Sequence, residues 1–170
     1  MNSENKNSEN KNSKKQGFRY LRVIRFQETD AAGVIYFANL LNLCHEAFEA
    51  SLAHSGIDLA NFFSKDNGTA VPIVHTEADF YRPLRCGDTV VILVCPIQLK
   101  SYSFENHYEI FYPNADPSQD NGAPLVATAQ TTHVCINTVS ARKTDLSNHL
   151  LQWIAATGDA IAPSPSELNN

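Results

Sequence analysis

The chain contains no apolar run near the roughly 18 residues that would carry a helix across a bilayer, so no helical membrane span is expected. It also lacks a basic excess. Lys and Arg number 13 against 18 Asp and Glu, a formal net charge of −5, so it has no electrostatic footprint for nucleic acid. Its four cysteines, Cys44, Cys86, Cys95 and Cys135, never approach a CxxC spacing. That pattern argues against a zinc site or a redox pair and fits reduced thiols in a cytoplasmic protein. The 6 histidines are equally dispersed. His45 follows Cys44 and points about 100° away around a helix, so the two are poorly placed to share a ligand. The reading therefore expects no metal.

The first 16 residues have no apolar segment either. They consist mainly of Asn, Ser, Glu and Lys, without Arg and with Glu4 and Glu9, which suits neither a secretory signal nor a transit peptide. Residues 1–16 read as a disordered tail, and residues 157–170, with Pro163 and Pro165, as a loose one. What remains, 17–156, has the length of one domain, and an apolar content of 43% is ample for a core.

The informative segment is Glu28-Thr29-Asp30-Ala31-Ala32-Gly33-Val34-Ile35-Tyr36-Phe37. Before it, Leu21, Val23, Ile24 and Phe26 interleave with Arg22, Arg25 and Gln27, a strand-like mixture. After it, Phe37, Leu40, Leu41, Cys44, Phe48, Ser51 and Leu52 recur at helical spacing, with Asn39, Asn42, Glu46 and Glu49 on the other side. A carboxylate thus stands beside a small-residue turn that opens a long helix. The first turn of a helix carries unpaired N–H groups and partial positive charge, so an oxyanion can rest there while Asp30 acts from one side. The competing reading makes Asp30 a helix N-cap or turn residue.

Gly56 is a helix stop, and Asp58 to Phe63 forms a further turn. Ala70 to Phe80 is β-rich around Pro72. Thr89 to Leu99 is apolar in both alternation phases, which predicts a strand covered on both faces. Phe104, Tyr108, Ile110 and Tyr112 alternate with Glu105, His107 and Glu109, an antiparallel strand with one wetter face. Pro113 to Pro124 reads as a hairpin loop, Leu125 to Asn137 as the last long strand, and Leu146 to Ala156 as a terminal helix. One long helix with about five antiparallel strands is α+β.

The loop from Asp30 through Ala31, Ala32 and Gly33 into Val34-Ile35-Tyr36-Phe37 resembles the thioesterases of the 4-hydroxybenzoyl-CoA type, within the hotdog-fold superfamily. The blocks Cys44-His45-Glu46-Ala47, Val71-Pro72-Ile73-Val74-His75, Cys86-Gly87-Asp88 and Ala129 to Ile136 look like the cyanobacterial 1,4-dihydroxy-2-naphthoyl-CoA thioesterases of phylloquinone (vitamin K1) synthesis. The resemblance spans about Phe18 to Arg142. It implies an antiparallel sheet wrapped around the central helix, no cofactor, and a homodimer or homotetramer with acyl-CoA sites at subunit boundaries. It implies Asp30 as nucleophile or general base, and the backbone N–H groups of Tyr36 and Phe37 as oxyanion donors. Tyr36, Phe37 and His75 become candidates for the acyl pocket, although all three residue types also serve as core or structural groups.

For the CoA phosphates, Lys100 falls in a turn that is basic in the family. Ser101 and Tyr102 beside it depart from that pattern, which brings in Arg82, Arg85 or Arg142. A second hotdog subgroup uses a glutamate on the helix. That makes Glu46 and Glu49 rivals to Asp30, though their spacing favours a solvated face. Phe37 stands where broader-range bacterial relatives often carry His, which favours an aromatic acyl group. A non-catalytic acyl-CoA sensor would be expected to lack the carboxylate or to carry a DNA-binding extension. The Asp–His signature of the hydratases on this fold is absent.

Overall fold

Helix α1, Phe37–His54, organises the fold. Leu40, Leu43, Cys44, Ala47, Phe48, Ser51 and Leu52 are its buried residues and recur every three or four positions, forming one apolar stripe. The stripe differs from the expected one at its edges. Leu43 and Ala47 belong to it, Leu41 is only half-buried, and Phe37 is 64% exposed because it begins the helix beyond the edge of the core. Gly56 ends the helix with φ +81°, and Gly56 N–H and Ile57 N–H donate back to the Ala53 and Leu52 carbonyls. This left-handed closure is one that glycine adopts without strain. A single-turn helix α2, Leu59–Phe62, follows, with the Asp58 carboxylate accepting from Ala60 N–H.

The computed structural model describes residues 17–113 and 124–158. The expected tail 1–16, the expected tail 157–170 apart from Thr157 and Gly158, and nearly all of the expected 113–124 loop lie outside the described residues. Strands β1 (Phe18–Val23), β3 (Ile73–Phe80), β4 (Thr89–Lys100), β5 (Ser103–Phe111) and β6 (Leu125–Val134) form one sheet in the order β1-β4-β5-β6-β3. Every neighbouring pair is antiparallel. The short strands β2 (Thr69–Ala70) and β7 (Ile136–Asn137) pair separately. Helix α3, Asn148–Thr157, closes the described chain and takes in Thr157, which the sequence reading had placed in the tail.

Strand β4 is covered on both faces, as its double apolar phase requires. Val90, Ile92 and Val94 join α1 in the main core, whereas Val91, Leu93 and Cys95 form a second cluster with Phe111. Part of that second cover comes from within the chain. A Cβ on Gly17 would fall 2.5 Å from Leu93 Cδ1 and 2.8 Å from Cys95 Sγ, so the backbone there passes directly over the cluster. The Arg19 guanidinium lies 4.9 Å from the Phe111 ring centre.

The strand before the informative segment is shorter than expected. It stops at Val23, and Phe26–Glu28 winds into a 3-10 turn. Ladder pairing of β1 to β4 ends at Val23–Thr89, after which Ile24 exchanges hydrogen bonds with Gly87 and Asp88. The Glu28 carboxylate accepts from Arg25 N–H at 2.6 Å and holds the turn.

A polar line crosses the core. The Tyr108 and Thr131 hydroxyls are 3.3 Å apart, Thr131 Oγ1 is 2.9 Å from His133 Nε2, and His133 Nδ1 is 3.2 Å from the Val71 carbonyl. His133 also stacks on Phe104, ring centres 4.6 Å apart and planes within 4°. Burial disfavours the imidazolium and pulls the His133 pKa down from 6.5 to about 4, against the Val71 hydrogen bond that favours it. Between those values the unfolded chain binds a proton that the fold refuses. Stability from this site is therefore full above about pH 6.5 and is lost as pH falls toward 4. His133→Asn retains a donor and an acceptor but does not titrate. Its melting temperature, followed by circular dichroism from pH 7 to 4, should fall less steeply than that of the unmodified protein; equal slopes would refute the assignment.

Candidate active site

Asp30 sits at the tip of a tight hairpin between the 3-10 turn and α1. Thr29 and Ile35 bridge as antiparallel partners, Asp30 N–H donates to the Val34 carbonyl at 2.8 Å, and Gly33 N–H donates to the Asp30 carbonyl at 3.0 Å. Gly33 takes φ +75°, which the turn requires. One Asp30 carboxylate oxygen accepts from Ala32 N–H at 2.8 Å. The other has no partner among the described residues, and the side chain is exposed. The bond to Ala32 is a local turn bond two residues on, not a cap on α1.

The cap position of α1 is Tyr36, whose side chain makes no capping bond. Its N–H donates to the Glu28 carbonyl at 2.9 Å, and Asn39 N–H donates to the Tyr36 carbonyl at 2.8 Å. That corrects one expectation. Tyr36 N–H is already committed and is not an open oxyanion donor. Phe37 N–H, the other expected donor, has no acceptor among the described residues, and neither does Ala38 N–H. Sequence reasoning missed Ala38, since only the bond between Tyr36 and Glu28 shows which N–H groups of the first turn are left over.

Beside this helix end lies an open groove of about 400 Å³, lined by Asp30, Val34, Ile35, Phe37, Phe80, Tyr81, Arg82, Pro83 and Leu84. Ile35 N–H donates to the Leu84 carbonyl, and Tyr81 and Arg82 N–H both donate to the Val126 carbonyl, so sheet and hairpin fix both walls. Phe37, Phe80 and Tyr81 are all substantially exposed. Large aromatic rings left open around a concave surface mark a binding site more often than a chance exposure. A roomier cavity of about 500 Å³ lies between α2 and α3, near Asp58, Cys135, His149 and Trp153. It adjoins the opposite end of α1, about 27 Å along the helix from Phe37. It holds none of the candidate catalytic, acyl-pocket or CoA-binding residues, so the smaller groove is the better site.

The other candidates separate. Arg82 lines the groove, and Arg85 is in the adjoining turn, its N–H bonded to the Asp88 carboxylate at 2.8 Å. Lys100 ends β4 eleven residues from Thr89, about 36 Å along the strand from the hairpin end. Arg142 is at that far end too, where Asn137 N–H donates to its carbonyl and Leu146 N–H donates to Ser101. Within the chain, then, Lys100 and Arg142 are remote from Asp30.

His75 is also outside the groove. It is exposed on β3, 3.7 Å from Glu77 and five residues from Phe80, about 17 Å along the strand. Glu46 is not freely solvated as its helical spacing suggested. It accepts from Tyr20 Oη at 2.7 Å and from Arg22 Nε at 3.0 Å. Partial burial would raise its pKa, but these two donors outweigh it and hold the carboxyl below the usual glutamate value. Glu49 pairs with His45 at 3.3 Å.

The Thioesterase-like superfamily model matches residues 24–154 of this chain. The 1,4-dihydroxy-2-naphthoyl-CoA hydrolase of Rippkaea orientalis is 48% identical over 138 residues, covering 81% of this chain and 95% of the relative. The hydrolase of the same name from Synechococcus elongatus is 42% identical, covering 84% and 98%. Among solved structures, a 1,4-dihydroxy-2-naphthoyl-CoA thioesterase from Synechocystis superposes with a TM-score of 0.71 at 35% identity, covering 86% of this chain and 98% of that one. Fold and site define a hotdog thioesterase scaffold, one sheet packed on a central helix with an acidic hairpin at its entrance. The chain belongs to the thioesterase-like superfamily and, within it, to the family of the cyanobacterial 1,4-dihydroxy-2-naphthoyl-CoA hydrolases.

Gly33 offers a clean test of the hairpin. A Cβ added there meets nothing within 4 Å, so Gly33→Ala acts through the backbone alone. Holding an alanine at φ +75° costs about 1–2 kcal/mol. The melting temperature should fall by about 2–8 °C, at about 2–4 °C per kcal/mol for a chain of this size. An unchanged or higher melting temperature would mean that the hairpin relaxes out of the left-handed conformation.

Proposed function

We propose that the protein hydrolyses 1,4-dihydroxy-2-naphthoyl-CoA to 1,4-dihydroxy-2-naphthoate and free CoA. The carrying observation is a carboxylate with one unpartnered oxygen, at the mouth of an aromatic-walled groove, beside the open N–H groups of a helix start. The relatives' names supply the acyl group, and the exposed rings of Phe37, Phe80 and Tyr81 suit a flat bicyclic acid. A thioester suits so spare a site. Thiols have pKa values of roughly 8–9, so the thiolate departs without strong help from a general acid.

Asp30 acts by one of two routes. As a nucleophile its carboxylate oxygen bonds to the thioester carbon, the C–S bond breaks to give the CoA thiolate and a mixed anhydride, and water then hydrolyses the anhydride. As a general base it takes a proton from water as the water oxygen attacks the same carbon, and the tetrahedral adduct then collapses with cleavage of the C–S bond to release the CoA thiolate. Both routes put negative charge on the carbonyl oxygen, and Phe37 and Ala38 N–H are the donors available to receive it. Arg82, with Arg85 beyond it, is the groove's own basic side chain for the CoA phosphates.

The assembly we propose is a homodimer, or a tetramer built from it, joined along β3. That strand has β6 on one side only, and all its residues but Ala78 are exposed, Val74 at 59% among them. An unpaired edge of this length invites a second copy. Antiparallel pairing of two β3 strands would carry His75 of one protomer toward the groove of the other, a role it lacks within its own chain.

Replacing Asp30 by Asn keeps the shape and the bond from Ala32 but removes the charge. The expected result is a loss of kcat on the order of 10²–10⁴, with KM and melting temperature little changed. Normal turnover would return Asp30 to a turn residue. Release of CoA from dihydroxynaphthoyl-, 4-hydroxybenzoyl-, benzoyl- and short fatty acyl-CoA should give the first the largest kcat/KM, with aliphatic esters lower by about 10²-fold, as several lost pocket contacts imply. A flat profile would favour a broad-range thioesterase. Sedimentation at micromolar concentration should find dimers or tetramers, and a fully active monomer would overturn the β3 interface.

A further inference from the structure

The buried carboxylate nearest the proposed site has no part in the chemistry described so far. Glu28 is two residues before Asp30, and its side chain is only 12% exposed. One oxygen accepts from Arg22 Nη2 at 2.6 Å, the other from Arg25 N–H at 2.6 Å. All three guanidinium nitrogens of Arg22 are engaged. Its Nε donates to Glu46 on α1, its Nη1 to the Val23 carbonyl, and its Nη2 to Glu28. One guanidinium therefore joins β1, the 3-10 turn and the third turn of α1, a three-way task that a lysine ammonium does not reproduce with fixed geometry.

The backbone of Glu28 continues the connection. Its carbonyl accepts from Tyr36 N–H at 2.9 Å and from Asn39 Nδ2 at 3.0 Å, the cap position and the first turn of α1. The Tyr36 bond determines that Phe37 and Ala38 keep the open N–H groups. In the other direction the chain runs through Thr29 directly to Asp30. The acting carboxylate and the oxyanion donors are thus both referenced to one residue, which is anchored from the side by Arg22.

We propose that Glu28, held by Arg22, is a positioning residue that sets the separation between Asp30 and the open N–H groups of α1. The inference rests on the catalytic reading of Asp30. Such a separation matters because a misplacement of about 1 Å can cost 10²-fold in rate while binding elsewhere is untouched. Glu28 acts through other groups and touches no substrate, so its loss should register in kcat and leave KM alone.

The experiment compares Glu28→Gln, Asn39→Ala, Asp30→Asn and the Glu28→Gln/Asp30→Asn double variant. Each is assayed for CoA release from dihydroxynaphthoyl-CoA after circular dichroism at the assay temperature. Glu28→Gln should lose about 10- to 100-fold in kcat, with KM within about threefold. In the Asp30→Asn background the same change should cost less than about threefold, because a carboxylate that no longer acts gains nothing from placement. Asn39→Ala, a helix-favouring change that removes one tether from the Glu28 carbonyl, should lower kcat several-fold with KM unchanged. It keeps the proposal testable if Glu28→Gln does not fold. Unchanged kcat in whichever of Glu28→Gln and Asn39→Ala are folded, a rise confined to KM, or a full multiplicative loss in the double variant would each overturn the positioning role. A fully active Asp30→Asn would instead overturn the catalytic reading. An inactive Asp30→Asn beside a fully active Glu28→Gln would remove only the role assigned to Glu28.

Discussion

The rest of this molecule depends on the packing of α1 against β4 and β1. Burying Leu40, Leu43, Phe48 and Leu52 contributes about 1.5–3 kcal/mol for each side chain, a cooperative gain that holds the helix in place along its length. That gain lets the first turn of the helix be left imperfect. Tyr36 makes no side-chain cap, and two backbone N–H groups stay open. A helix held only by its ends would be destabilised by such an opening, typically by about 1 kcal/mol for a lost cap. Here the packing in the middle of the helix lets two N–H groups at its start go without an acceptor among the described residues.

Hydrogen-bond accounting distinguishes the carboxylates near that end. Glu28 is committed to Arg22 and Arg25 N–H, and Glu46 to Tyr20 and Arg22. Asp30 has a single local bond and one open oxygen. The two glutamates are structural because their charges are spent, and Asp30 is the reactive candidate because its charge is not. The basic residues differ likewise: every guanidinium nitrogen of Arg22 is engaged within the chain and its side chain is largely buried, while Arg82 borders the groove.

The chain by itself encloses its groove only in part. Its groove is open, its aromatic walls are exposed, and the strand leading to it has a bare edge. The sequence-derived site residues fall into two spatial groups. Asp30, Phe37 and Arg82 share the groove, with Tyr36 and Arg85 beside it, whereas His75, Lys100 and Arg142 lie well away. Under the proposed pairing on β3, a second copy would bring its His75 toward the groove.

Much of this was legible in the sequence. Helical spacing from Phe37 to Leu52 and the stop at Gly56 located α1, because amphipathic period and backbone permissiveness are local properties. The double apolar phase of Val90 to Cys95 announced a strand buried on both faces, and the Asp30-to-Gly33 run announced the hairpin. The loss of strand at Val23 was not legible, since it follows from where β1 stops pairing with β4. Nor was the commitment of Tyr36 N–H, which depends on a carbonyl eight residues earlier in the chain. Glu46 looked solvated because spacing records only which side of a helix a residue occupies, not that Tyr20 and Arg22 of β1 wait on that side. The sequence by itself determined the elements, the acidic turn and the family, all written in short-range order. Tertiary structure alone decided which carboxylate stays free, which N–H groups stay open and which cations reach the groove, because each depends on partners brought together only by the closing of the sheet on α1.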